Sequence, residues 1–265
     1  MAQAMAWDPA KYVQFGDHRD RPFFDLTARI AAEAPRQVVD LGCGPGNLTA
    51  TLATRWPGAA VLGVDSSPEM LERAELLATA VPGLSFVAAD IRDWTPGPEC
   101  DVVVSNAALQ WVPGHLDLLP RWLDALPPDA WFALQVPGNF GAPSHVLMRE
   151  LAASAEWASR LGGVLRHDDA VGELADYLSV MLDAGWAADA WESSYQQLLQ
   201  GPDPVLEWVR GTGLRPVLAA LPPEDAARFE QQYAALLREA YPAGPHGTVF
   251  PFRRIFAVGH KAAGR

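Results

Sequence analysis

The sequence predicts an α/β fold, a seven-stranded, mostly parallel sheet with helices on both faces and a helical lid, and three observations carry the expectation. Apolar runs of strand length alternate with helical patterns through the first half of the chain. The first two runs end in acids, with a glycine-rich loop after the first. Two late strand-like runs, 190–199 and 248–258, enclose a long stretch rich in helix formers at 202–242. Strands separated by helices pack through crossovers into a parallel sheet of the Rossmann-like kind. A hairpin needs only a few connecting residues, so 202–242 reads as a lid over the strand ends.

The first strand, Val38-Val39-Asp40-Leu41, runs into Gly42-Cys43-Gly44-Pro45-Gly46-Asn47. Three glycines at alternate positions leave a bare loop that accepts positive φ and lets a ligand approach the backbone. Leu48, Thr49, Leu52 and Ala53 then begin a helix, so the loop leads from a parallel strand to a helix N-terminus. The acid selects the ligand. A carboxylate at Asp40 repels a pyrophosphate but attracts a sulfonium or ammonium, and Asn47 stands where a dinucleotide fingerprint needs glycine. The expected cofactor is therefore S-adenosylmethionine rather than NAD, with Asp40, Gly42, Gly44 and Asn47 around it.

The second strand, 60–65, ends in Asp65, where a carboxylate accepts hydrogen bonds from ribose hydroxyls. Ser66-Ser67-Pro68-Glu69-Met70 opens the next helix, with Ser66 and Met70 near the nucleoside. A third strand, 84–89, leads to Asp90, a candidate acceptor for the adenine amino group, and to Ile91, which offers a backbone amide and an apolar face. The fourth, 101–105, ends in Asn106-Ala107-Ala108-Leu109-Gln110-Trp111, placing Asn106 at the methionine end and Trp111 nearby. Trp94 and Trp111 each suit a core position as well as a binding one. A fifth strand, 131–136, stops at Pro137-Gly138-Asn139. Helical spacing follows at 143–161 and 171–184, and Pro251 gives the last strand an irregular or edge-like start.

Composition narrows the function class. The 265 residues suit one domain, with residues 1–25 as an N-terminal lid segment and insertions at about 141–165 and 202–242 covering the site. A net charge of −12 argues against a nucleic-acid partner, which needs a basic face. No run reaches the length of a membrane span, and no basic segment precedes an apolar one at the start. Cys43 and Cys100 are badly placed for a disulfide, so a reducing cytoplasm is expected. Neither a repeat nor metal-ligand spacing is present. The sequence leaves the oligomeric state open.

With these residues in view, the glycine loop, Asp65-Ser66-Ser67-Pro68, Asp90-Ile91-Arg92 with Trp94, and Asn106 through Trp111 resemble the class I S-adenosylmethionine-dependent methyltransferases. More narrowly, the chain resembles the trans-aconitate 2-methyltransferase family. That likeness rests on Trp7-Asp8-Pro9, Tyr12, Phe15, Arg19-Asp20-Arg21-Pro22, His145 through Glu150 and Thr212-Gly213-Leu214-Arg215-Pro216, and spans nearly the whole chain. It implies transfer of a methyl group to one carboxylate of trans-aconitate, a small anionic tricarboxylate, giving a monomethyl ester and S-adenosylhomocysteine.

Carboxylate esterification constrains the site further. An ionised carboxylate already presents its lone pair, so no general base and no catalytic metal is expected. The protein has to orient the oxygen, exclude water and neutralise the carboxylates that do not react. Arginine suits that last role through its planar, permanently charged fork. The candidates are Arg19, Arg21, Arg149, Arg215 and Arg254, with Tyr12, His18 and His145 adding hydrogen bonds. Phe15 and Trp7 are expected to close the pocket. Two other readings stay open: a different small carboxylic acid as acceptor, and an S-adenosylmethionine-binding protein without catalysis.

Overall fold

The computed structural model describes residues 16–165 and 170–263, with side chains from Asp20 onward. In chain order the elements are α1 (Gly16–Thr27), β1 (Gln37–Leu41), α2 (Asn47–Arg55), β2 (Ala60–Asp65), α3 (Pro68–Ala78), β3 (Leu84–Ala88) and β4 (Cys100–Asn106). Then come α4 (His115–Ala125), β5 (Trp131–Pro137), α5 (Pro143–Ala152), α6 (Ala158–Leu161), α7 (Leu174–Asp183) and β6 (Ala187–Leu199). Last are α8 (Pro204–Arg210), α9 (Arg215–Ala220), α10 (Pro223–Ala240), β7 (Ala243–Gly244) and β8 (Gly247–His260). Single 3₁₀ turns follow β3 at Ile91–Asp93 and β4 at Leu109–Trp111.

The sheet runs β3-β2-β1-β4-β5-β8-β6, with the two-residue β7 beside β8. Seven of its strands are those the sequence predicts, and β7 is an addition too short to show in any pattern. The first five strands pair in parallel, whereas β8 lies antiparallel to both β5 and β6. Strand order reverses between β1 and β4, which opens a crevice at their carboxyl ends.

Buried strands carry apolar residues on both faces, and alternate residues feed two cores. Val38, Val102, Val104, Ala133 and Phe256 pack with Phe23 and Leu26 of α1 and with Leu52 and Trp56 around α2. Val39, Val103, Phe132, Leu134 and Ile255 pack on the opposite face with Leu119 and Trp122 of α4 and Tyr177 and Met181 of α7. Trp94 belongs to this second face, its ring 6.0 Å from Trp122 in an edge-on contact. A third core joins the far half of the β6–β8 pair, through Leu199, Phe250 and Phe252, to Met148, Trp157, Trp208, Phe229 and Tyr233 of the later helices.

Some boundaries differ from expectation for identifiable reasons. The pattern at 143–161 breaks into α5 and α6, because Trp157 turns inward against Phe229 and donates its indole N–H to Gln232 at 2.7 Å. Strand β6 begins at Ala187, earlier than its alternation suggests, since β8 continues to His260 and pairs with it residue for residue. Pro251 sits where β8 has outrun β5, whose pairing starts at Arg254, so its missing N–H costs no ladder bond on that side.

Candidate active site

A cleft of about 710 Å³ lies at the point where strand order reverses. Asp40, Gly42, Gly44, Asn47, Asp65, Ser66, Met70, Asp90, Ile91, Asn106 and Trp111, all nominated from sequence, line it. The four strand ends bring them together. Among the neighbours that sequence reasoning missed are Asp20 and Phe23, supplied by α1.

The glycine loop is built against its surroundings. Gly42 has φ +80°, and a Cβ there would lie 2.2 Å from Ala108 Cβ. Gly44 has φ +56° and open space where a side chain would stand, so a ligand is free to approach its backbone. Gly42 and Cys43 donate N–H bonds to the Val64 carbonyl, and Gly44 donates to Asp65 Oδ2 at 2.8 Å. Asp65 Oδ1 also accepts from the Ser67 N–H at 2.8 Å. The carboxylate is thus locked by the backbone while keeping lone pairs for further donors. Asp90 caps the 3₁₀ turn by accepting the Arg92 N–H and is gripped by the Arg92 guanidinium, which holds its carboxyl below the usual range.

Asp40 is almost wholly buried and accepts the Thr49 hydroxyl at 2.6 Å. Burial pushes its carboxyl up to about 7, and the Asp65 charge adds to the shift. Such an acid gains from a cation placed beside it. With Asp20, Asp65, Glu69 and Asp90 on the same walls, the cleft fits a ligand carrying a sulfonium and an ammonium and opposes a pyrophosphate. Burial raises the Cys43 thiol well above its usual range, which rules out a thiolate nucleophile there.

Among the described residues, those proposed for an anionic substrate do not line this cleft and fall in two groups. Arg254 is 6% exposed, donates to Gln135 Oε1 at 3.5 Å, and stands 4.5 Å over the Phe252 ring. Its charge and that of Arg21 both act on Tyr195, whose hydroxyl donates to Asp25 at 2.7 Å. Arg21 itself is well exposed, lies 5.0 Å over the Tyr195 ring and approaches Asp25 at 3.6 Å. The second group belongs to the helical layer. His145 is held beside Phe140 and Gly213, and Arg149 donates to the Phe140 carbonyl at 2.8 Å. Burial and the Arg149 charge lower the imidazole to about 4, so His145 is neutral at physiological pH. Arg215 opens α9 directly after the loop that packs Gly213 against His145. Tyr12, Trp7 and Phe15 lie outside the described residues, as do the side chains of His18 and Arg19.

Among the described residues no cluster of His, Cys, Asp and Glu forms a metal site, and no helix is long and apolar enough to cross a membrane.

Residues 38–129 match a family model described as a methyltransferase domain. The chain is 57% identical to a trans-aconitate 2-methyltransferase of Streptomyces avermitilis, covering 99% of both chains. It is 58% identical to a trans-aconitate 2-methyltransferase of Streptomyces coelicolor, covering 99% of this chain and 89% of the relative. Among solved structures, the YcgJ protein of a Bacillus superposes with a TM-score of 0.61 at 16% identity, over 92% of this chain and 99% of that one.

Proposed function

The chain belongs to the trans-aconitate 2-methyltransferase family, and from that premise we propose that it transfers a methyl group from S-adenosylmethionine to a carboxylate of trans-aconitate. The products are a monomethyl ester and S-adenosylhomocysteine. The observation that carries the reading is the cleft itself, a glycine loop and several strand-end acids converging where strand order reverses. That donor set suits a cationic nucleoside.

When bound, S-adenosylmethionine supplies a methyl group on a sulfonium: the acceptor oxygen attacks it with its own electron pair, the carbon–sulfur bond breaks toward sulfur, and no proton moves. Everything else falls to the chain. Asp65 holds the ribose hydroxyls with the lone pairs its backbone bonds leave, and Asp90, Ile91 and Met70 flank the adenine. Asp40 faces the cationic end, and Asn106 and Trp111 close that end of the cleft. Arg254 and Arg21 on one side, and Arg149 and Arg215 with His145 on the other, receive the carboxylates that do not react, with Tyr12, His18 and Arg19 completing the pocket. A neutral His145 agrees with a binding role and with chemistry that needs no base. Residues 1–25, 141–165 and 202–242 form the cover that excludes water. Two buried cysteines, both free among the described residues, support a reducing cytoplasm as its location.

An assay with methyl-labelled cofactor against a panel of di- and tricarboxylates tests the function. Trans-aconitate should be the preferred acceptor. Preference for another acid redirects the substrate assignment, and cofactor binding without turnover on any acid overturns catalysis. Replacing each of the five arginines by alanine in turn should lower kcat/KM for trans-aconitate by roughly 10- to 1000-fold at those positions that clamp a carboxylate, with cofactor affinity unchanged.

A further inference from the structure

Beside Asn106 of the cleft wall, on the neighbouring strand, stands a buried polar group to which no role has yet been given. Gln135 lies within β5, is fully buried, and carries an Nε2 that has no hydrogen-bond partner among the described residues. A contact of 3.5 Å with Arg254 orients the amide. Arg254 donates to Gln135 Oε1, and a guanidinium has no acceptor to offer, so the amide nitrogen must point the other way. In register, Gln135 is the direct neighbour of Asn106 on β4, whose Oδ1 is also buried without a partner and whose side chain lines the cleft. On the other side, β8 brings Arg254 level with Pro137, two residues along β5. Asn106, Gln135 and Arg254 therefore form a polar row running across three adjacent strands, from the cleft toward the helical layer.

A buried donor without a partner costs free energy and invites an explanation. Neighbouring strands are about 4.8 Å apart, so Gln135 stands one strand beyond Asn106 of the cleft wall. Packing alone does not account for glutamine there, since leucine or methionine would fill the same volume without orphaning an amide. We propose that Gln135 is a substrate-binding residue, its Nε2 donating beside the Arg254 guanidinium to one carboxylate of the acceptor. The proposal rests on the polycarboxylate reading above. Neutral amide and cation together give the carboxylate two donors from different strands, which fixes the orientation of the acid as well as its charge.

The test replaces Gln135 by methionine, leucine and glutamate, and measures turnover of trans-aconitate and of a dicarboxylate lacking one of its carboxyl groups. Gln135→Met and Gln135→Leu should raise KM for trans-aconitate by about 10- to 100-fold, with kcat within about threefold and affinity for S-adenosylhomocysteine unchanged. The preference for tricarboxylate over dicarboxylate should shrink by the same factor, which a general packing defect would not do. Gln135→Glu should be worse than either, because its carboxylate would occupy Arg254 itself. An unchanged KM in a folded Gln135→Met protein overturns the proposal, as does equal loss on both acids or a parallel loss of cofactor affinity. Failure of the native protein to methylate any polycarboxylate would instead overturn the functional reading from which the proposal starts.

Discussion

Asp40 concentrates the electrostatics of the cofactor cleft in one carboxyl, buried, raised to about 7 and bonded to Thr49. Its folded value lies above the unfolded 3.8, so the fold favours the protonated form. The stability it contributes is complete below about pH 4 and is lost as pH rises through 7. A cation beside the carboxylate reverses that preference. If the cofactor binds only the ionised form, its affinity at pH 6 should be about tenfold weaker than at pH 8, and calorimetric titration across that range checks it. At saturating cofactor, kcat should stay flat from pH 6 to 8.5, because His145 is neutral throughout and the substrate carboxylates are already ionised. A rise near pH 7 that disappears in His145→Ala would show a base after all. The cleft residues were legible in the sequence because glycines and strand-end acids are rare punctuation in apolar runs. Alternation along β8 also separates two adjacent arginines, Arg254 facing the core and Arg253 paired outside with Glu192 and Glu173. Gln135 was not legible, for one glutamine inside a buried strand looks like a lapse in the pattern until its unpartnered amide is seen.

At the scale of elements, the helical layer packs on the far half of the β6–β8 pair and is held together internally by a few directed bonds. Tyr233 of α10 donates its hydroxyl to the Ser144 carbonyl at 2.5 Å, and Tyr241 accepts the Ser144 N–H at 3.1 Å. Both clamp the first turn of α5, which carries His145 and Arg149. Tyr233→Phe removes one buried bond while keeping the ring, so stability should fall by about 0.5–1.5 kcal/mol, or a few degrees in Tm. The KM for trans-aconitate should rise severalfold while cofactor affinity stays constant, because the cleft belongs to other elements. Thermal unfolding and paired titrations separate these effects, and a loss of cofactor affinity would show that the layer is coupled to the cleft. The sequence foretold helices in 202–242 but not their division into α8, α9 and α10, nor the break between α5 and α6. Both depend on which side chains a distant element buries, as Trp157 does against α10, and local periodicity carries no record of that.

Over the whole molecule, strand order and the placing of helices on both faces followed from alternating element types, since right-handed crossovers leave few other topologies. What local patterns leave open is how a protein of net charge −12 manages two ligands of opposite sign. At neutral pH the cofactor is a net cation and the acceptor a trianion. Long-range repulsion therefore hinders the acceptor, while the arginines that would hold it are short-range and, for Arg254, buried. The Debye length falls from about 30 Å at 0.01 M salt to about 8 Å at 0.15 M, which removes the distant field but barely touches a buried contact. Raising salt over that interval should lower KM for trans-aconitate by about 2- to 5-fold and weaken cofactor binding by a similar factor. Initial rates with the acceptor varied at saturating cofactor, alongside calorimetry of the cofactor alone, separate the two trends. Opposite signs mean that the acidic surface sets the long-range field and the arginines act only at contact. Should both affinities fall with salt, the arginines dominate the field felt by the acceptor at long range, and the acidic surface must be patterned to leave that approach open.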